Sequence, residues 1–295
     1  TFIMEACEYQ DSFLSFTPNI AVILNIDLDH TDYFSGLDNI IDSFSKYAAI
    51  ADDGYAVYNS DSENVLRAMR NYKGKRVTFG LESDADFTAG NIAFDHGRAE
   101  FDILKKGAFF AHVKLGVTGR HNILNSLAAA AAADICGVPA EAVEKGLASY
   151  RGAKRRMEYR GSFTTASGAS VPLFDDYAHH PTEIRATLSG AKEMGYKRVW
   201  VVFQPHTYSR TASLYDEFAK SFGGVRAVFA PIYAARETNE WGVTSEKLAE
   251  DAGGMYFPTL GEIAEYLKKE LRDGDMLIVM GAGDIIKLDD ILLEK

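Results

Sequence analysis

The stretch SVPLFDDYAHHPTEI, residues 170–184, decides the fold of the second half of this chain. It begins with a short apolar run, passes through two carboxylates, a tyrosine and two histidines, and enters a helical pattern that Pro181 opens. An apolar strand followed directly by a helix is the unit from which parallel sheets are built. The question is which ligand or reaction needs so many polar side chains where a strand ends.

Three further apolar runs in this half end in a polar cluster of the same kind. VWVVF (199–203) leads into QPHTYSR, AVFAP (227–231) into IYAARET, and MLIVM (276–280) into GAGD. In an open parallel sheet, ligands bind where the carboxyl ends of the strands converge. We therefore predict an α/β, Rossmann-like, doubly wound domain over residues 152–295, with a ligand site at this edge. The helix that Pro181 opens favours an anion there.

The first half shows the same alternation before its pattern changes. IAVILNI (20–26), GYAVYN (54–59) and KRVTFG (75–80) alternate with helical patterns, which predicts a parallel sheet covered by helices. Residues 85–117 favour an antiparallel addition of short strands. The opening TFIMEAC reads as a buried strand of a parallel sheet, so we expect the chain to be the rear part of a longer protein. An ordinary edge strand is the alternative.

The basic stretch RGAKRRMEYRG (151–161) is the predicted linker, which gives domains of residues 1–151 and 152–295. A formal charge of −11 over 295 residues argues against nucleic-acid and membrane-surface binding, because both require a basic face. Two distant cysteines fit neither a disulfide framework nor a metal motif, and no apolar run reaches the ~20 residues of a membrane helix. We expect a soluble protein of the cytoplasm.

A second group of chemically active residues lies in the first half. Glu5 and Glu8 follow one apolar run, and Asp27, Asp29 and His30 follow another. Carboxylates and an imidazole at neighbouring strand ends could hold Mg²⁺ together with waters and phosphate oxygens. A turn with capping aspartates explains the same residues equally well.

The segment GVTGRHNILNSLAA brings His121, Asn122 and Asn125 to the start of a helix. Asn122 is a candidate cap, and Asn125 lies three residues on, along the same helical face. No G-x-x-x-x-G-K-[ST] motif occurs in the chain, so the usual cradle for nucleotide phosphates is missing.

The polar residues of the second half also have structural explanations. Asp175, Asp176 and Thr182 could act only as turn or capping residues. At least one of the adjacent pair His179 and His180 is expected to be structural, because neighbours in an extended chain point in opposite directions. Beside His206 and Tyr208, Arg210 is interpreted as an anion-binding residue rather than a solvated helix start.

Taken together, eight motifs resemble the Mur ligases, in order and along essentially the whole chain. They are EACEYQDSFL, NIDLDHTDY, GRHNILNSLAA, GAKRRMEYRG, DDYAHHPTEI, FQPHTYSR, YAARE and GAGD. The resemblance implies that residues 1–151 are the remainder of a P-loop-type central, ATP-binding domain with a parallel sheet. Residues 152–295 would be the complete C-terminal domain. The family's N-terminal UDP-binding domain and the P-loop are not found in this sequence.

The resemblance implies a reaction and its participants. ATP would phosphorylate the carboxylate of UDP-N-acetylmuramate, and the amine of L-alanine would attack the acyl phosphate to give an amide, ADP and phosphate. Mg²⁺ and basic side chains would offset the charge during phosphoryl transfer. A monomer or homodimer is expected, and this chain by itself, without a P-loop, is expected to be inactive.

The resemblance also implies roles for individual residues. The expected Mg²⁺ ligands are Glu5 and His30, and the expected nucleotide contacts are His121, Asn122, Asn125, Arg156 and Asp176. Arg156 would reach the ATP phosphates from the hinge, and Asp176 would hold the ribose or order the closed site. The muramic acid carboxylate and alanine would meet Tyr177, His179, His206 and Arg210, of which the last three are the expected catalytic residues.

Three alternatives stay open at this point. A related ligase attaches a recycled murein tripeptide to the same sugar nucleotide. A metal-dependent phosphohydrolase built from the Asp and His clusters would release phosphate without any amine. A catalytically silent fragment would bind only nucleotide or a partner.

Overall fold

The computed structural model describes residues 1–30 and 33–294. The chain forms two compact units, Thr1–Tyr150 and Arg151–Lys295, and each contains a six-stranded sheet of its own. Among the described helices, none combines the length and the apolar character that a bilayer span requires.

The first unit alternates strands and helices and then adds a strand meander. Its strands are β1 (Ile20–Ile23), β2 (Tyr55–Asn59), β3 (Lys75–Phe79), β4 (Phe87–Asp95), β5 (Arg98–Lys105) and β6 (Ala108–Thr118). Its helices are α1 (Leu37–Ile50), α2 (Glu63–Ala68), α3 (His121–Ile135) and α4 (Ala140–Ser149), with 3₁₀ turns at Tyr9–Ser15 and Met69–Asn71.

The first sheet follows the order of the chain, β1-β2-β3-β4-β5-β6. Strands β1 to β4 pair in parallel, and β4-β5-β6 pair antiparallel. The predicted antiparallel strands are therefore confirmed, and they continue the parallel sheet. Successive side chains of β2 point to opposite faces of the sheet. Ala56 and Tyr58 pack with α1 and α2 on one face, whereas Val57 packs with α3 on the other.

The prediction of a buried strand at TFIMEAC is wrong for this structure. No strand is assigned over residues 1–7, and Phe2 and Ile3 are 87% and 88% exposed. An apolar segment becomes a strand only when a neighbouring strand pairs with its backbone. Among the described residues, β1 pairs with β2, and no strand pairs with residues 1–7.

The second unit is the predicted doubly wound α/β domain. Its strands are β7 (Glu158–Thr164), β8 (Ser170–Asp176), β9 (Arg198–Phe203), β10 (Arg226–Phe229), β11 (Met255–Tyr256) and β12 (Asp275–Met280). Its helices are α5 (Pro181–Lys192), α6 (Tyr208–Ser213), α7 (Tyr215–Lys220), α8 (Ser245–Asp251), α9 (Leu260–Glu270) and α10 (Lys287–Leu293), with a 3₁₀ turn at Asp284–Ile286.

The second sheet has the order β11-β10-β9-β12-β8-β7, and only β7, at one edge, is antiparallel to its neighbour. Alternate side chains of β9 pack into the two apolar cores on opposite faces of the sheet. Val201 and Phe203 pack with α5, α7 and α8, whereas Trp200 and Val202 pack with α9 and α10. Helices on both faces bury the inner strands completely, which explains their continuous apolar sequences.

The predicted linker is in large part a structural piece of the second unit. Arg155 forms an ion pair with buried Asp175, and its guanidinium also donates to the carbonyl of Gly281. From Glu158 onward the segment is strand β7. A run of basic residues looks like a solvated linker in sequence, but here one of them has a buried carboxylate as its partner.

Candidate functional site

Four loops of the second unit meet at the carboxyl edge of its sheet, as the strand ends predict. The amide of Gly281, after β12, donates to the carbonyl of Asp176 at the end of β8 (3.0 Å). The amide of Ile285 donates to the side chain of Gln204, after β9 (3.0 Å). His206, in the same loop as Gln204, forms a β-bridge to Tyr233, after β10. The loops therefore form one connected polar surface.

Asp176 has the structural role that the sequence left open. Its buried carboxylate accepts hydrogen bonds from the amides of Met157 (2.9 Å) and Ala178 (2.8 Å). Burial raises the pKa of Asp176 to about 6, although these two hydrogen bonds act in the opposite direction. The carboxylate orders the loop after β8, and a nucleotide contact by Asp176 stays a prediction.

The two adjacent histidines have different roles. His180 is buried and caps α5, because its Nδ1 accepts from the amide of Thr182 at 3.3 Å. His179 is only half-buried, and its Nδ1 lies 3.0 Å from the carbonyl oxygen of Tyr177. Since a carbonyl oxygen can only accept, Nδ1 carries the hydrogen, and Nε2 is the basic nitrogen of His179. Of the two, His180 is the structural histidine, and His179 is the one that lies half-buried in the loop after β8.

Four aromatic rings from three loops stand side by side at this edge. His179 contacts Tyr177 and His206, with ring centroids 5.3 Å and 6.1 Å apart. His206 in turn stacks on Tyr233 at 5.4 Å with an interplanar angle of 9°. The structure therefore brings together three of the predicted residues and adds Tyr233, which the sequence motif YAARE begins but which we did not single out.

Arg210 lies directly against His206. Its Nη1 donates to the carbonyl oxygen of His206 (2.7 Å) and lies 3.3 Å from His206 Nδ1. Burial lowers the pKa of His206, and the charge of Arg210 lowers it further. The imidazole is therefore neutral at pH 7, and because Nδ1 faces a guanidinium that only donates, its hydrogen is on Nε2.

The two neighbouring arginines of GAKRRMEYRG have different partners. Arg156, the predicted phosphate contact, is half exposed and pairs with Glu183 at 3.1 Å. Arg155 instead reaches inward to Asp175 and lies 4.8 Å above the ring of Tyr177. Sequence reasoning missed Arg155, because nothing local distinguishes it from the basic residues beside it.

Glu237 is a second residue that the sequence analysis missed. Its carboxylate accepts from the hydroxyls of Thr207 (2.6 Å) and Ser209 (2.5 Å) and from the amide of Ser209 (2.8 Å). The signal that could have found it is its place in YAARE, one of the ordered motifs, in the same strand-end loop as Tyr233.

In the first unit, His30 pairs with Glu8, which was not one of the two predicted metal ligands. His30 Nε2 lies 3.4 Å from Glu8, and the hydrogen bond with His30 holds the pKa of Glu8 below its usual value. Within residues 1–30 and 33–294, no three His, Cys, Asp or Glu side chains converge as metal ligands. Because Mg²⁺ is often held by only one or two protein groups together with waters and phosphate oxygens, this finding does not test the Glu5–His30 assignment, which stays a prediction.

The predicted nucleotide cluster does form at the start of α3. Asn125 Nδ2 donates to Asn122 Oδ1 at 3.2 Å, and Asn122 Nδ2 lies 3.2 Å from His121 Nε2. Asn122 is not the cap, however, because α3 begins at His121 and the Asn122 side chain donates to the carbonyl of Thr118. The positive φ of Gly119 (+96°) turns the chain into the helix, and a β-carbon there would lie 2.6 Å from the His121 ring. Whether the cluster contacts nucleotide stays a prediction.

Comparison with known proteins identifies the class to which this site belongs. The Mur ligase middle domain matches residues 1–133, and the Mur ligase, glutamate ligase domain matches residues 155–283. These two matches together take in most of the sequence, and the chain belongs to the Mur ligase family.

Individual relatives narrow the comparison. The chain is 44% identical over 302 residues to the UDP-N-acetylmuramate–L-alanine ligase of Clostridium acetobutylicum and 42% identical to that of Acetivibrio thermocellus. These matches cover 100% and 99% of the chain but 65% and 63% of the relatives, so the chain spans less than two thirds of their length. The crystal structure of the UDP-N-acetylmuramate–alanine ligase of Thermotoga maritima superposes with a TM-score of 0.75 at 25% identity. That match covers 96% of this chain and 61% of the other.

Proposed function

We propose that the full-length protein containing this chain is an ATP-dependent ligase that joins L-alanine to UDP-N-acetylmuramate through an acyl phosphate. The observation that carries the proposal is 44% identity, along the whole chain, to a ligase of that name. The cationic and imidazole-rich edge of the second unit supports it, because the two substrates both present carboxylates.

The chemistry explains what the protein must supply. A carboxylate is a poor electrophile until one of its oxygens leaves as phosphate, and ATP is the proposed phosphoryl donor. Mg²⁺, when bound with ATP, would offset the charge of the phosphates during transfer. Our assignment of Glu5 and His30 to the metal, and of His121, Asn122, Asn125, Arg156 and Asp176 to the nucleotide, is part of this proposal.

The second unit offers three complementary groups for the amide-forming step. The guanidinium of Arg210 would bind and neutralise a carboxylate or the oxyanion that forms from it. The Nε2–H of neutral His206 would donate a hydrogen bond to the same oxygen. The basic Nε2 of His179 would take a proton from the alanine ammonium group, which must become an amine before it can attack. Tyr177 would complete the pocket as the neighbour of His179.

The test removes the positive charge of Arg210 and is designed to leave the fold unchanged. In the full-length protein, Arg210→Ala should lower alanine-dependent ADP release about 100-fold or more, a loss typical of removing one charge-stabilising group. The matched control is Arg226→Ala, an exposed arginine at the opposite, amino-terminal end of β10, which should keep its activity. Turnover of Arg210→Ala near that of the unchanged protein would remove Arg210 from the mechanism.

The choice of acceptor distinguishes the neighbouring functions. L-alanine should support ADP release, whereas a murein tripeptide should not; the reverse result would favour the tripeptide ligase. Phosphate release without any amine would favour a phosphohydrolase, and binding without turnover by the full-length protein would favour a silent nucleotide-binding protein. We also propose a location in the cytoplasm, and a monomeric or homodimeric state stays a prediction.

A further inference from the structure

The loop after β10, residues 230–244, holds the loop after β9 at two separate points. At the first, the ring of Tyr233 stacks on His206, and its amide donates to the carbonyl of Pro205 at 2.9 Å. At the second, the carboxylate of Glu237 is enclosed by the hydroxyls of Thr207 and Ser209 and by the Ser209 amide. These two points bracket the segment that carries His206 and leads to Arg210.

The start of α6 explains why a carboxylate is needed at the second point. The first amides of a helix have no partner within the helix, and a side chain at the N-cap usually accepts from one of them. Thr207 is the N-cap of α6, but its side chain accepts no such hydrogen bond, and its hydroxyl instead donates to Glu237. Glu237, 30 residues further along the chain, supplies the missing acceptor for the Ser209 amide.

Glu237 is ionised under the conditions in which the protein works. Partial burial tends to raise the pKa of Glu237, but the hydrogen bonds from Ser209 and Thr207 outweigh it and hold the pKa below its ordinary value. An ionised carboxylate only accepts hydrogen bonds, and the groups facing it, the hydroxyls of Thr207 and Ser209 and the amides of Tyr208 and Ser209, each have a hydrogen to give. All of these hydrogen bonds therefore run in one direction, from the donors to the Glu237 carboxylate.

We propose that Glu237 is a positioning residue for amide formation, which fixes the turn from His206 to Arg210 so that both side chains face the substrate. This inference rests on the proposed function. Arg210 donates to the His206 carbonyl one residue before Thr207, so a displacement of the turn moves both groups together. Misplacing a reacting group by about 1 Å can cost about 100-fold in rate.

The experiment compares Glu237→Ala with Glu240→Ala in the full-length protein. Glu240 is an exposed carboxylate of the same loop whose side chain accepts only a long, 3.4 Å hydrogen bond, from Thr238. Glu237→Ala should lower kcat/KM for L-alanine about 10- to 100-fold and leave the KM for ATP within about twofold. A merely destabilising change would lower the amount of active enzyme without this difference between the substrates. Glu240→Ala should behave like the unchanged protein.

A second measurement does not depend on activity. The ring-proton NMR signals of His206 report its stacking on Tyr233, and they should shift in Glu237→Ala but not in Glu240→Ala. If the unchanged full-length protein does not ligate alanine, the proposed function fails, and the NMR comparison alone decides whether Glu237 holds the turn.

Two results would overturn the inference. One is kcat/KM for L-alanine in Glu237→Ala equal to that of the unchanged protein; the other is a set of His206 signals that do not move. If Glu237→Ala does not fold, Glu237→Gln is judged by the same two criteria. Its amide keeps the size of the side chain but places an NH₂ donor against donors.

Discussion

At the scale of single residues, the least ordinary feature outside the site is a buried group of charges beneath β8. Asp175 and Asp289 are both fully buried, and each faces one arginine, Arg155 at 2.9 Å and Arg160 at 3.2 Å. Both oxygens of Asp289 lack a hydrogen bond within the part of the chain that the structure describes. Burial and the charge of Asp175 together raise the pKa of Asp289 to about 7, against the opposing charge of Arg160.

This raised pKa predicts how stability depends on pH. Between about pH 4 and pH 7 the folded protein holds a proton on Asp289 that the unfolded chain has released, so the free energy of unfolding falls as the pH rises. Asp289→Asn removes this dependence. Relative to the unchanged protein, its free energy of unfolding should increase by about 1–3 kcal/mol between pH 5 and pH 8.

Urea denaturation of the two proteins at several pH values measures the difference. Asp290→Asn, on the exposed side of the same helix, is the control and should show no such trend. A difference between Asp289→Asn and the unchanged protein that is the same at all pH values would mean that Asp289 is ionised throughout.

At the scale of elements, the site depends on how closely the loops after β9, β10 and β12 approach one another. Gly283, after β12, lies against Gln204 and Tyr233, and a β-carbon at this position would lie 2.6 Å from Cγ of Tyr233. The side chains of Gln204 and Tyr233 leave no room there for a methyl group.

Gly283→Ala should therefore destabilise the second unit by about 1–3 kcal/mol and displace the ring on which His206 stacks. Thermal unfolding together with the alanine-dependent assay measures both effects. Gly261→Ala is the matched control, because this glycine lies in α9 with open space around it, and alanine in a helix is favoured by about 0.5–1 kcal/mol. An unaffected Gly283→Ala would show that the three loops do not pack so closely.

Local sequence patterns predicted most elements but not their partners. The 3.6-residue period of LDNIIDSFSKYAAI and the apolar run RVWVVF match α1 and β9. The sequence after β9 did not reveal that two short helices follow, Tyr208–Ser213 and Tyr215–Lys220, with Leu214 at φ −115° between them.

The candidate site was predictable to a similar degree. Strand ends indicated His179, His206 and Arg210, because the carboxyl edge of a parallel sheet collects such loops. Arg155 and Glu237 were not predicted, because their partners lie 20 and about 30 residues away along the chain. A single sequence shows which residues are near in the chain but not which distant carboxylate meets which donor.

At the scale of the whole molecule, each unit has two apolar cores of its own, one on each face of its sheet. We predict that residues 151–295 fold alone, because their buried apolar residues pack against one another. Circular dichroism of this segment should show one cooperative thermal transition. A broad, non-cooperative loss of signal would mean that the segment needs the first unit, and the boundary at residue 150 would then not separate independent domains.

The position of β12 has a consequence for synthesis of the protein on the ribosome. This strand lies between β8 and β9, with register pairs to both, yet it is made after all the other described strands. A nascent chain that ends before residue 275 holds β8 and β9 but not the strand that sets their spacing. His179 and His206 can therefore reach their mutual distance only when the chain as far as residue 280 has left the exit tunnel.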